Sequence, residues 1–268
     1  MSSVGHAARD SVTLFRRNLK RAIRYPSVVI TIVLMPVLFL LLFTYAFGGA
    51  LGAGIGAPGS GSGSPGDGTY IDYVAPGIIL MTVATGCVGS ALSVCMDVTE
   101  GIVNRFRTLP ISRASFLTGH VLGNLVQTIL GTAAVTAVAL AVGFRPNATP
   151  VEWLAALGLL SFLALALAWL SAGMGLAAKT VESASNLPMP ITFLPFLGSA
   201  VVPTESMPSW LRRFAEHQPF TPLNETLRGL LTGTGIGHDG WVSLAWCTGI
   251  GLTGYLWARA RFRRSTHP

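Results

Sequence analysis

Between two long uncharged apolar runs stands one compact set of residues able to do chemistry, in the stretch DVTEGIVNRFRTLP. Asp97 and Glu100 come first; Arg105, Phe106, Arg107, Leu109 and Pro110 follow, with Arg113 just beyond. As a short helix, this order puts acids at the positive end of the helix dipole and arginines at the negative end. Phe106 and Leu109, three apart, share a face that fits a groove on a cytoplasmic partner, with the arginines adding polar contacts. Pro110 ends such a helix. The same residues also fit a solvated loop whose arginines only enforce membrane topology, and on the residues alone the two readings stand level. The chemistry on offer is docking and the transfer of motion.

Catalytic patterns are missing elsewhere. The chain has no HExxH, GxSxG or CxxC. Gly173-Met-Gly-Leu-Ala-Ala-Lys179-Thr180 approaches a phosphate loop, but Ala178 stands where backbone N–H groups need glycine to wrap phosphates. It also ends an apolar run instead of following a strand, so the chain is expected to bind no ATP and no cofactor of its own. Cys87, Cys95 and Cys247 fall in apolar runs and are expected to pack as small apolar groups. His120, near one end of an apolar run, is expected to be a satisfied interfacial histidine. Two N-x-T sequons, at Asn147 and Asn224, carry little weight, since such tripeptides arise by chance.

The elements that hold the cluster are membrane helices. The 268 residues are 51% hydrophobic and 11% charged, where soluble domains carry roughly 25% charged residues. A bilayer core needs roughly 20 apolar residues in helix. Six runs reach or approach that length, at 27–50, 73–96, 115–143, 153–178, 185–203 and 240–258. As drawn, none contains Asp, Glu, Lys or Arg, which counts against an ion-coupled transporter needing buried carboxylates.

Charge sets the orientation. Six spans put both termini on one side with the loops after spans two and four. That side collects Arg9, Arg16, Arg17, Lys20, Arg21, Arg24, Arg105, Arg107, Arg113, Lys179, Arg259, Arg261, Arg263 and Arg264. The other side holds only Arg145, Arg212, Arg213 and Arg228. Both termini are therefore expected in the cytoplasm, and the net charge of +7 reads as topology and lipid-headgroup contact, with no nucleic-acid role. The N-terminus, with its long charged region and full-length apolar run, is not expected to be a cleaved signal.

Three further pieces complete the plan. Residues 9–24 place Val12, Phe15, Leu19 and Ile23 on one face among basic residues, an amphipathic helix for the cytoplasmic leaflet. Residues 48–68 are a Gly/Ser/Pro linker. Residues 204–233 are too charged to span yet carry Trp210, Leu211, Phe214, Leu223 and Leu227. Two short helices broken around Pro219, Phe220, Thr221 and Pro222 fit best, as a re-entrant outer hairpin. Amphipathic helices resting on the outer leaflet are the alternative.

RFRTLPISR preceded by DVTEG resembles the cytoplasmic loop of type-2 ABC exporter permeases, closest to the daunorubicin/doxorubicin-resistance group. TYAFGGAL from Thr44, YVAPGIILM from Tyr73, MPSWLRRFAEHQPFTPL from Met207 and LRGLLTG from Leu227 follow in order along nearly the whole chain. The resemblance implies one all-α integral membrane domain over residues 1–268, with six transmembrane helices working as a dimer of permeases beside two cytoplasmic ATPases. Those partners bind the ATP and Mg. It also implies that residues 97–113 are the coupling helix, with Asp97, Glu100, Arg105, Phe106, Arg107 and Leu109 at the ATPase. The N-terminal amphipathic helix would meet the same subunit, and the outer hairpin, with Trp210, Phe214, Pro219, Phe220, Pro222 and Arg228, would gate the exit.

An uncharged pathway suits a hydrophobic or amphiphilic small-molecule cargo such as an antibiotic. Export of a lipid-linked glycan or other envelope precursor, and a non-conducting anchor for an ATPase, are the alternatives. Abundant alanine and glycine with scarce lysine point to a high-GC bacterial source and hence to the cytoplasmic membrane.

Overall fold

The structure is a computed structural model that describes residues 26–48, 68–99 and 113–264, with side chains from 32, 70 and 117 onward in the three stretches and up to 262. The amphipathic helix at 9–24, nearly all of the linker and residues 100–112 lie outside the described residues. Within them every element is helical.

Helix α1 runs Pro26–Leu41 and continues as a wider π-type turn over Leu42–Ala46. Helix α2 is Gly68–Thr99, α3 is Arg113–Val142 and α4 is Pro150–Ala177. Among the described residues, three stretches are long and apolar enough to cross a membrane: Tyr70–Thr99, Leu117–Val142 and Pro150–Ala177. These agree with the second, third and fourth runs read from the sequence. Ile32–Ala46 is a shorter apolar helix, and α9, Asp239–Arg264, is long but less apolar.

Local chemistry explains the ends. Thr149 caps α4 through a reciprocal box: its hydroxyl accepts from the Glu152 N–H, while the Glu152 carboxylate accepts from the Thr149 N–H at 2.6 Å. Pro150 at the first helical position loses no hydrogen bond.

The fifth run, 185–203, is not one continuous helix. It divides into α5 (Val181–Asn186), α6 (Met189–Phe193) and a 3-10 turn (Leu194–Leu197), then leaves helix altogether. Pro188, Pro190 and Pro195 each remove an N–H and crowd the preceding turn, so a continuous helix is not sustained. The charged stretch after it forms two helices, α7 (Ser209–His217) and α8 (Phe220–Thr232). The break falls at Gln218–Pro219 as the prolines imply, while Pro222 is absorbed into the first turn of α8. Gly233 ends α8 at φ +73, a left-handed conformation that glycine takes without strain.

Helix α2 is the hub. Val74, Ile78, Leu80 and Val83 are almost fully buried, in one apolar cluster with Leu40 of α1, Leu163 of α4, and Leu223 and Leu227 of α8. In lipid, packing of this kind rests on close van der Waals contact, since hydrocarbon solvates Leu as well as protein does. Gly77 shows the closeness: a Cβ there would lie 2.6 Å from the Ala200 carbonyl oxygen.

Candidate functional site: two polar clusters and an apolar cavity

Helices α2 and α3 are antiparallel, since Asp97 meets His120 while Gly86 meets Asn124, four residues further along α3. Their adjoining ends bracket residues 100–112. Near those ends the Asp97 carboxylate lies 2.9 Å from His120 Nε2, both side chains nearly excluded from solvent. Two elements position this pair. The last turn of α2 continues past Met96, and α3 starts at Arg113, so His120 lies two turns inside it.

This corrects the sequence reading at two points. Asp97, assigned there to the partner-facing surface, is 2% exposed and belongs to the buried end of α2. The helices also run longer than the uncharged runs, so Asp72 and Asp97 fall inside α2 and Glu152 inside α4, each near an end. A carboxylate one turn from a helix end can be buried when an imidazole faces it. Glu100, Arg105, Phe106, Arg107 and Leu109 lie outside the described residues.

The second cluster is at the opposite end of α2. After Leu197 the chain is not helical, so the Ser199 carbonyl has no helical donor and takes donors from elsewhere. Tyr73 Oη donates to it at 3.1 Å, Asn224 Nδ2 at 3.0 Å and Arg228 Nη2 at 2.8 Å. Arg228 Nη1 also reaches both Glu225 oxygens, at 2.7 and 2.8 Å, and the guanidinium lies 3.7 Å over the Tyr73 ring. The hairpin is thereby tied to α2 and to the broken helix through one arginine. Arg228 Nε, Asn224 Oδ1 and Gln218 Oε1 are buried with no hydrogen-bond partner among the described residues.

The six hairpin residues named from the sequence divide. Phe220 and Pro222 are buried, Arg228 is in the cluster, and Pro219 precedes α8. Trp210 and Phe214 stay exposed on α7, at 73% and 48%. Sequence reasoning missed Tyr73, Ser199 and Asn224, and Asn224 is too buried to be a free glycosylation acceptor.

Between α2, α3, α4 and α8 lies an apolar cavity of about 770 Å³. Small residues on α3, Thr132, Ala133, Thr136 and Ala137, face Trp153, Ala156, Leu157 and Leu160 of α4. Leu227 and Leu231 of α8 complete the wall. The Thr132 hydroxyl donates to the Thr128 carbonyl and Thr136 to that of Thr132, which leaves methyl groups as the free surface of both side chains. All three cysteines are buried.

Comparison with known proteins places these features. A family model described as ABC-2 type transporter matches residues 10–232, through the end of α8. A daunorubicin resistance ABC transporter permease protein, DrrB1, of Streptomyces coeruleorubidus is 30% identical over 231 residues, 85% of this chain and 76% of that protein. A probable doxorubicin resistance ABC transporter permease protein, DrrC, of Mycobacterium tuberculosis is 25% identical over 258 residues, 95% of this chain and 90% of that one. ABC transporter G family member 20 of Dictyostelium discoideum is 26% identical over 180 residues, 65% of this chain and 24% of its own length.

Proposed function

The chain belongs to the ABC-2 type transporter family, and from that premise we propose that it is the membrane subunit of an ATP-driven exporter. It works as half of a permease dimer with separate cytoplasmic ATPase subunits, which bind the ATP and Mg. Its cargo is a hydrophobic or amphiphilic small molecule of the antibiotic kind, moved out across a bacterial cytoplasmic membrane. The observation that carries this reading is the 30% identity, over 85% of the chain, to a permease named for daunorubicin resistance.

In this reading the chain crosses the membrane six times, counting α1, the broken α5–α6 segment and α9 as spans, with both termini inside. The basic residues gathered at the termini and around 105–113 support that orientation. It puts Asp97 and His120 at the cytoplasmic end and the Arg228 cluster at the outer end. Residues 100–112 receive the motion of the ATPase. The buried Asp97–His120 pair holds the two helices flanking that segment together, so a push on it moves α2 and α3 as one body. Breaking such a pair takes a buried hydrogen bond from two side chains that water cannot reach, at a cost of about 1–3 kcal/mol, so the pair resists sliding apart.

Helix α2 carries the motion to its far end, where Tyr73 meets Arg228 and Ser199. The hairpin then lifts with α2 and opens the exit. The middles of α2, α3 and α4, free of Asp, Glu, Lys and Arg, suit a cargo that partitions from lipid.

Mild-detergent purification of the tagged chain from its native membrane, with mass spectrometry of what accompanies it, tests the partnership. An ABC ATPase is expected in equal amount, and is lost when Arg105 and Arg107 are both changed to Glu. A clean preparation without any ATPase would sink the exporter reading.

A further inference from the structure

The apolar cavity has a feature the exporter reading does not use. It lies inside the wall of a single chain, between α2, α3 and α4, which among the described residues are long and apolar enough to cross a membrane. Its rim is Leu140, Leu154 and Leu157, which are 40%, 69% and 48% exposed, so it opens onto surface that faces hydrocarbon. At about 770 Å³ it falls in the range of roughly 300–1,000 Å³ typical of built ligand pockets.

Left empty, its lining side chains would forfeit dispersion contacts on one side, which close-packed interiors avoid. Water does not fill it, because a buried water needs two or more polar partners. The hydroxyls of Thr132 and Thr136 are already spent on their own helix, which leaves the Thr128 hydroxyl, buried beside Gly86 of α2 without a hydrogen-bond partner, as a single polar group and one too few for a water. A drug-like molecule held for recognition needs a few convergent polar groups to orient it. This wall presents methyls, methylenes and the Trp153 ring.

We propose that the cavity is a structural lipid site: each permease chain holds one acyl chain of a membrane phospholipid between α3, α4 and α8. The bilayer supplies that occupant at high concentration directly at the rim. Leu227 and Leu231, which line the cavity, belong to the same helix as Arg228. The lipid therefore supports the hairpin from beneath, opposite the polar tie to α2. The inference depends on the membrane placement of α2, α3 and α4 and not on the cargo or the ATPase.

The test is native mass spectrometry of the permease, with and without its co-purifying partners, after stepwise delipidation in detergent and re-addition of a phosphatidylcholine–phosphatidylglycerol mixture. Wild-type protein is expected to retain a single phospholipid per permease chain when the annular lipid has been stripped. Ala137→Phe, which places a ring in the mouth, is expected to lose it while the protein remains folded. Ala133→Leu gives the same reading from an adjacent position should the first variant fail to accumulate.

Retention of no lipid by wild type, or of the same lipid by a folded filled variant, would overturn the proposal. So would displacement of the lipid by daunorubicin at equimolar concentration, which would make the cavity a cargo site. Dissociation of permease dimers by the filled variants, with no bound lipid in wild type, would assign the face to a second copy of the chain and overturn it too.

Discussion

Asp97 and His120 are 23 positions apart and meet at 2.9 Å in a place where neither reaches solvent. Each is the other's hydrogen-bond partner, so removing either side chain already breaks the contact and their effects should not add. Asp97→Asn and His120→Gln should each lower thermal stability in detergent, and the double variant should cost little more than either single one. A double-mutant cycle on unfolding should return a coupling of about 1–3 kcal/mol, the range for residues in direct contact. Additive losses would show that the two side chains act separately. Asp97→Asn should also retain the ATPase yet export less cargo per ATP hydrolysed, because docking survives and stiffness does not.

Arg228 makes a second prediction at this scale. Lysine preserves its charge but has no second nitrogen to reach the Ser199 carbonyl while the first holds Glu225, and it loses the planar stack on Tyr73. Arg228→Lys should therefore destabilise by about 2 kcal/mol, the worth of charged hydrogen bonds, read as a lower melting temperature. Unchanged melting would mean the charge alone matters.

The elements differ in how far their sequences disclosed them. Helices α2, α3 and α4 were legible because twenty or more apolar residues in lipid have essentially one backbone solution, with every N–H and C=O bonded internally. The hairpin was legible from its prolines and the switch to an amphipathic pattern. The break in the fifth run was not legible from hydropathy alone: composition counts Pro188, Pro190 and Pro195 as nearly neutral, whereas the backbone treats each as a missing donor.

Asp97 was misplaced because the uncharged run ends at Met96 while the helix does not. Two ionisable groups at similar depth on consecutive antiparallel helices were the available signal. The contacts of Ser199 with Tyr73 and Asn224 join residues 126 and 25 positions apart, and no local pattern announces them. The cap of α4 was legible in principle as T-x-x-E, and it carries its own expectation. Thr149→Ala removes the hydroxyl and should cost about 1 kcal/mol, seen as a small drop in melting temperature with export unchanged.

At the scale of the whole molecule, the bundle joins two polar clusters through one long helix. Asp97 sits at one end of α2 and Tyr73 at the other, with the apolar cluster around Ile78 and Val83 making the length between them rigid. That arrangement suits the proposed role, in which displacement passes from one membrane face to the other. Family membership was recoverable from ordered sequence blocks, and of the fold it implies the described residues show an all-helical bundle with three helices long and apolar enough to cross a membrane. The cavity was not recoverable, since it depends on how small residues of α3 meet α4 and α8 in space.

The central claim, ATP-driven export through this chain, is most directly tested by reconstitution. The permease and its co-purified ATPase are placed in liposomes, ATP and Mg are supplied on the cytoplasmic side, and a fluorescent anthracycline is followed into the lumen. Accumulation that needs ATP, and that stops in the Arg105→Glu, Arg107→Glu double variant, is the predicted result. ATP hydrolysis at full rate with no cargo movement, for anthracyclines and for other apolar small molecules alike, would contradict the account.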